Sequence, residues 1–76
     1  MSLGKAIRML RQKALYTQED FAKELDVALS TVNRWELNKA KPNMKAMKAI
    51  KAFCDENNLD YTLIENEWLD YSKEAE

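Results

Sequence analysis

Ser30, Thr31, Asn33 and Arg34 fall within one short window, interleaved with the apolar Val32 and Trp35. At helical spacing the four form a wet flank opposite a pair of inward-facing residues. Each offers hydrogen bonds, and Arg34 offers a fork of donors that matches two acceptors at once. Beyond them lie Lys39, Lys41, Lys45 and Lys48, a cluster of point charges suited to phosphate oxygens, with the neutral amide of Asn43 among them. The chemistry of such a set is non-covalent recognition of a polyanion. Bond-making has no comparable set. The chain has no histidine, no phosphate-cradling glycine loop and no metal-ligand spacing. Cys54 sits alone in an apolar stripe, where a buried thiol is inert. Asp55-Glu56 and Glu65/Glu67 occupy exposed-looking positions with nothing nearby to raise a carboxyl pKa. The expectation is therefore a binding protein and not an enzyme, with no catalytic residues, no cofactor and no metal.

These residues must be positioned by a small scaffold. Seventy-six residues, 46% apolar and 33% charged, describe one globular domain over residues 1–76. A single glycine and a single proline leave too little turn punctuation for sheets, so an all-α fold is expected. Net charge is −1, yet residues 1–54 carry a balance of +6 and residues 55–76 a balance of −7. A basic body fits a polyanion; the acidic end should face away from it. One cysteine and no membrane-length apolar run point to a cytoplasmic protein without membrane attachment. Met1-Ser2-Leu3 resembles a cloning remnant and carries no weight beyond Leu3 joining an apolar stripe.

Five helices follow from the periodicity. Leu3, Ile7, Leu10, Ala14 and Leu15 mark the first. Thr17 caps the second, with Asp20 completing a capping box and Phe21, Ala22 and Leu25 facing in. Asp26 ends it, since Asp and Asn tolerate a left-handed backbone. The third helix runs from about Leu29 to Glu36. A basic loop, Leu37 to Pro42, follows, with Asn38 a second left-handed candidate. Asn43 caps a fourth helix with an apolar stripe of Met44, Met47, Ile50, Phe53 and Cys54, stopped at Asn57-Asn58. An acidic fifth helix spans about 60–73, with Thr62 and Glu65 as a capping box and Tyr61, Ile64, Trp68 and Tyr71 on one face. Ile64 and Trp68 cover the domain's own core, which leaves Leu63, Leu69 and Tyr71 for a partner.

The second and third helices are joined so tightly that they must cross closely, with Ala22 at the crossing. Val27, Val32 and Trp35 plug the angle from inside. The outer flank of the third helix is then free to enter a groove, which is the helix-turn-helix design.

The run Thr17 to Pro42, TQEDFAKELDVALSTVNRWELNKAKP, closely resembles the helix-turn-helix of the phage repressor and Cro (XRE) family. The matching features are Gln18, Phe21-Ala22, Leu25, Val27, Ser30-Thr31-Val32, Arg34-Trp35-Glu36 and the Lys39–Pro42 exit. More loosely, the resemblance covers nearly the whole chain as a five-helix repressor-like domain. It implies a prokaryotic or phage-type regulator that binds double-stranded DNA sequence-specifically, acting as a repressor and as a homodimer on its operator. By position it implies that Gln18 grips a backbone phosphate and that Leu29, Ser30, Thr31, Asn33 and Arg34 face bases or phosphates. Lys39, Lys41 and Asn43 match the phosphate-contacting exit loop, and Arg11 and Glu36 match a partly buried ion pair. Four departures stand out: Asp26 where glycine is usual, Ala28 where a capping Ser or Thr is usual, Leu29 where Gln or Arg is common, and Leu37-Asn38 where Asn-Gly is usual, which removes one phosphate ligand. Leu29 has no hydrogen bond to give a base but can touch a thymine methyl.

Each assignment has a plainer counterpart. Arg34 either forks to guanine or meets a phosphate or nearby carboxylate; Asn33 either reads adenine or is simply solvated. Lys5, Arg8, Lys13 and Lys51 read as solvated surface. The competing function is a protein-interaction or antitoxin-like module that uses the acidic, aromatic last helix, with DNA binding secondary or lost.

Overall fold

The computed structural model describes residues 1–71. Five helices lie in chain order: α1 (Leu3–Lys13), α2 (Gln18–Leu25), α3 (Leu29–Glu36), α4 (Met44–Glu56) and α5 (Thr62–Leu69). No strand occurs among the described residues. α1 packs against α3 and α5, while α2 packs against α3 and α4. Ile7, Phe21, Val32, Ile50, Phe53, Cys54 and Ile64 form the fully buried centre. Phe53 is met edge-on by Phe21 and Tyr16, with ring centroids 5.1 and 5.0 Å away. Burial pushes the Cys54 thiol up to about 11, with Asp55 and Asp60 adding to the effect. That thiol is a core atom, as its apolar stripe predicts.

Four of the helix stops share one device. Leu15, Asp26, Asn38 and Asn58 all hold positive φ, between 55° and 62°. In each case the next residue's N–H donates back five positions: Tyr16 to the Arg11 carbonyl, Val27 to Ala22, Lys39 to Arg34 and Leu59 to Cys54. This is the closure that glycine usually makes, built here without glycine. Asp26 and Asn38 hold the left-handed backbone that their residue types suggest. Leu15 does not fit its expectation. It is 92% exposed with φ 62°, outside the first helix and outside the core. A leucine pays about 1–2 kcal/mol in this conformation.

The only glycine serves another purpose. A Cβ built on Gly4 would lie 2.6 Å from the Trp35 carbonyl oxygen, 2.8 Å from that of Glu36 and 3.0 Å from the Asn38 nitrogen. The start of α1 therefore presses against the end of α3, backbone on backbone. Asn38, itself buried, accepts the Gly4 N–H through Oδ1 at 3.1 Å. Ser2 caps α1 by accepting the Lys5 N–H, and Leu3 is buried, so both belong to the fold.

Three further expectations are corrected. Met44 is 63% exposed; as the first residue of α4 it precedes the turn whose Ala46 and Met47 enter the core. Thr62 is the first residue of α5 and not its cap, because Asp60 Oδ1 accepts the Thr62 N–H at 2.9 Å. That bond holds the Asp60 carboxyl below its ordinary range. Tyr71 is half-buried, and its hydroxyl donates to the Asn38 carbonyl at 3.2 Å, so it is not free for a partner. The acidic fifth helix, expected to reach about 73, stops at Leu69 with Asp70 as its C-cap, whose N–H returns to the Asn66 carbonyl; Glu74 and Glu76 lie outside the described residues.

Candidate nucleic-acid interface

α2 and α3 meet through the turn Asp26–Ala28. Asp26 takes φ 59° and ψ 46°, and Val27 follows half-buried, its N–H on the Ala22 carbonyl at 3.0 Å. Ala22 is buried at the crossing. Val32 and Trp35 anchor α3 from below. The opposite flank is open: Ser30, Asn33 and Arg34 are exposed, Thr31 is half-buried, and Leu29 shows 48% of its surface. The structure thus brings the five expected recognition residues onto one helix and leaves that flank uncovered.

α3 begins without a side-chain cap. Ala28 holds the extended backbone of a capping residue, φ −72° and ψ 149°, but has no oxygen to offer. A serine placed there is ready to accept a first-turn N–H. Ala28→Ser is expected to stabilise the protein by about 1 kcal/mol in urea unfolding. An unchanged midpoint would show that another group already meets those donors.

The end of α3 is braced from two sides. Arg11 on α1 forks onto Glu36, Nε to Oε2 at 2.7 Å and Nη2 to Oε1 at 3.0 Å. Its Nη1 donates to the Tyr16 carbonyl at 2.9 Å. Bonding to Glu36 raises the Arg11 pKa against the opposing effect of burial. Gln18, the first residue of α2, donates Nε2 to Glu36 Oε1 at 3.0 Å. One carboxylate therefore gathers α1, α2 and α3. The Gln18 amide, expected to grip a phosphate, spends one N–H on this network.

The exit loop lies next to that brace. Lys39 is exposed. Asn43 caps α4, its Oδ1 accepting the Ala46 N–H at 2.8 Å. Lys41 is exposed and stands over aromatic rings: its Nζ is 4.7 Å from the centre of the Trp68 ring and 6.0 Å from that of Tyr71. Trp68 Nε1 donates to the Pro42 carbonyl at 2.6 Å. The acidic helix thus ends against the exit loop, a placement that no residue of the sequence announces. Gly4, the Asn38 side chain, Trp68 and Tyr71 are structural partners of the site whose contacts with it the sequence does not show. The lone glycine inside an apolar helical stripe was a usable signal, because only a close approach favours it there. No group of acids, cysteines or histidines able to hold a metal occurs among the described residues, and no helix there is long and apolar enough to cross a membrane.

Comparison with known proteins agrees with this geometry. A helix-turn-helix family model matches residues 7–61. The chain is 34% identical over 53 residues to BcrR, an HTH-type transcriptional activator of Enterococcus faecalis. The match covers 70% of this chain and 26% of the relative, so the chain spans about a quarter of that protein's length. No solved structure matches it significantly. The family match takes in the crossed α2–α3 pair and its braces together, and the chain belongs to the XRE-type helix-turn-helix family.

Proposed function

We propose that the protein is a sequence-specific, double-stranded-DNA-binding transcriptional regulator that lays α3 in the major groove. The observation that carries this is the uncovered flank of α3, held rigid by the carboxylate of Glu36 and flanked by an exposed cationic loop. Ser30, Asn33 and Arg34 supply donors and acceptors for base edges, and Leu29 supplies an apolar contact for a thymine methyl. Thr31, at the margin of the exposed flank, reaches an adjacent phosphate. The main-chain N–H groups at the start of α2, together with Lys39, Lys41 and Asn43, take backbone phosphates. The protein works as a homodimer on a pseudo-palindromic site, with reading helices about 34 Å apart. It represses by occupying the duplex. The relative's activator label belongs to a protein that lies mostly outside the match.

The exposed Leu63 and Leu69 of α5, beside Glu65 and Asp70, keep a protein partner in view for that helix. Trp68 and Tyr71 point the other way, since both are engaged within the chain.

Selection from randomised duplexes, followed by light scattering with the selected duplex, tests specificity, palindromy and stoichiometry together. On that duplex Arg34→Ala is expected to lose about 1–3 kcal/mol of discrimination between sites. Lys39→Ala should weaken all duplexes alike and reduce the log–log salt slope by about 0.9. If both variants bind as the parent does at low salt, α3 is not the reading element.

A further inference from the structure

We propose that Trp68 and Tyr71 are positioning residues for the duplex, seating the Lys41 ammonium and the exit loop for a backbone phosphate. This rests on the DNA-binding reading above.

The loop from Leu37 to Asn43 has little regular structure of its own and follows the recognition helix directly. Two of its carbonyls are tied to the end of α5: Pro42 receives the indole N–H at 2.6 Å and Asn38 receives the Tyr71 hydroxyl at 3.2 Å. Between these anchors the Lys41 side chain lies over the Trp68 ring. A ring face holds an ammonium without cancelling its charge, and leaves N–H donors free on the far side. Among the described residues the one ion pair is Arg11–Glu36, so no carboxylate there neutralises Lys41. A flexible cation that would otherwise lose rotamer freedom on binding is ordered beforehand, which is where preorganisation improves affinity. The acidic helix, which charge alone would exclude from the duplex, contributes to it through neutral rings.

The test uses the full chain and a mixed-sequence duplex of about 20 base pairs, titrated between about 50 and 200 mM salt. Trp68→Leu, Lys41→Gln and the double variant are compared below their melting temperatures. Trp68→Leu is expected to weaken binding about two- to tenfold. It should also lower the salt slope by about 0.9, as Lys41→Gln does. The double variant should bind no worse than the weaker single one. Two results overturn the inference: a Trp68→Leu protein that melts earlier yet binds with the parent slope, or single effects that multiply in the double variant. Should Trp68→Leu not fold, Trp68→Phe keeps an aromatic face in place while deleting the N–H to Pro42. It is expected to weaken binding about two- to fivefold, with the same dependence on Lys41; parent-like affinity and slope overturn the inference. A parent protein that binds no duplex under any of these conditions brings down the DNA-binding reading itself, and the inference with it. Normal binding by the parent with unaffected variants brings down the inference alone.

Discussion

Glu36→Ala is expected to cost about 3–5 kcal/mol in urea unfolding, because it strands a charge that the fold has taken out of water. The two side chains are only 12% and 5% exposed, and Arg11 faces Glu36 with two N–H groups in a fork. Without the carboxylate, Arg11 retains its bond to the Tyr16 carbonyl. Gln18 loses its acceptor as well. Arg11→Ala should be similarly damaging, since it leaves the carboxylate with Gln18 alone. An apolar exchange of both, Arg11→Met with Glu36→Leu, should recover much of the loss, because removing both charges removes the desolvation penalty along with the attraction. Three elements meet at this carboxylate, so the single variants should also loosen α3 against α1 and α2. A Glu36→Ala loss below about 1 kcal/mol would place the pair with surface salt bridges, which contribute little.

The parts of this protein that were legible in its sequence are those governed by local chemistry. Ala22, Val27, Val32 and Trp35 disclose a tight helix pair because small and apolar residues recur where a crossing needs them. Asp26 and Asn38 disclose two helix stops because few side chains accept their backbone. Leu15 shows the limit of the same logic. It takes the same left-handed conformation while its residue type and its place in the periodicity both argue for a buried helical position. Its neighbour Tyr16 settles the matter, since closing the helix brings that ring onto Phe53. Met44 fails for a related reason, as a stripe read at three-residue spacing does not show where the first inward turn begins. The contact of Lys41 with Trp68 joins residues far apart in the chain and of opposite regional charge. Periodicity carries no information about such a pair. The charge split between residues 1–54 and 55–76 says only that the acidic end should face away from a polyanion; that aromatic rings and main-chain carbonyls join that end to the exit loop is not written in the charges.

Gly4→Ala is expected to be the most damaging single-methyl change in the chain. On an exposed helix the same exchange stabilises by about 1 kcal/mol, since alanine has the better helix propensity. Here the added carbon would stand 2.6 to 3.0 Å from three main-chain atoms of residues 35, 36 and 38. Backbone has no rotamer by which to retreat, so α1 must back away from the end of α3. Overpacking of this kind typically costs about 1–3 kcal/mol and occasionally more, and it outweighs the propensity gain. Retreat also stretches the 3.1 Å bond from the Gly4 N–H to Asn38, leaving a buried amide donor and a buried carboxamide oxygen poorly paired. The net expectation is a loss of about 2–4 kcal/mol in urea unfolding. Lys5→Ala, next along the helix but exposed, serves as the control and should change stability by less than about 0.5 kcal/mol. The functional consequence runs through Asn38, which carries the left-handed turn out of α3 and whose carbonyl receives the Tyr71 hydroxyl. Displacing it disturbs the exit loop. Gly4→Ala should therefore weaken duplex binding even well below its melting temperature. Stability equal to the parent's would mean that α1 and α3 do not approach as closely as their backbones are placed.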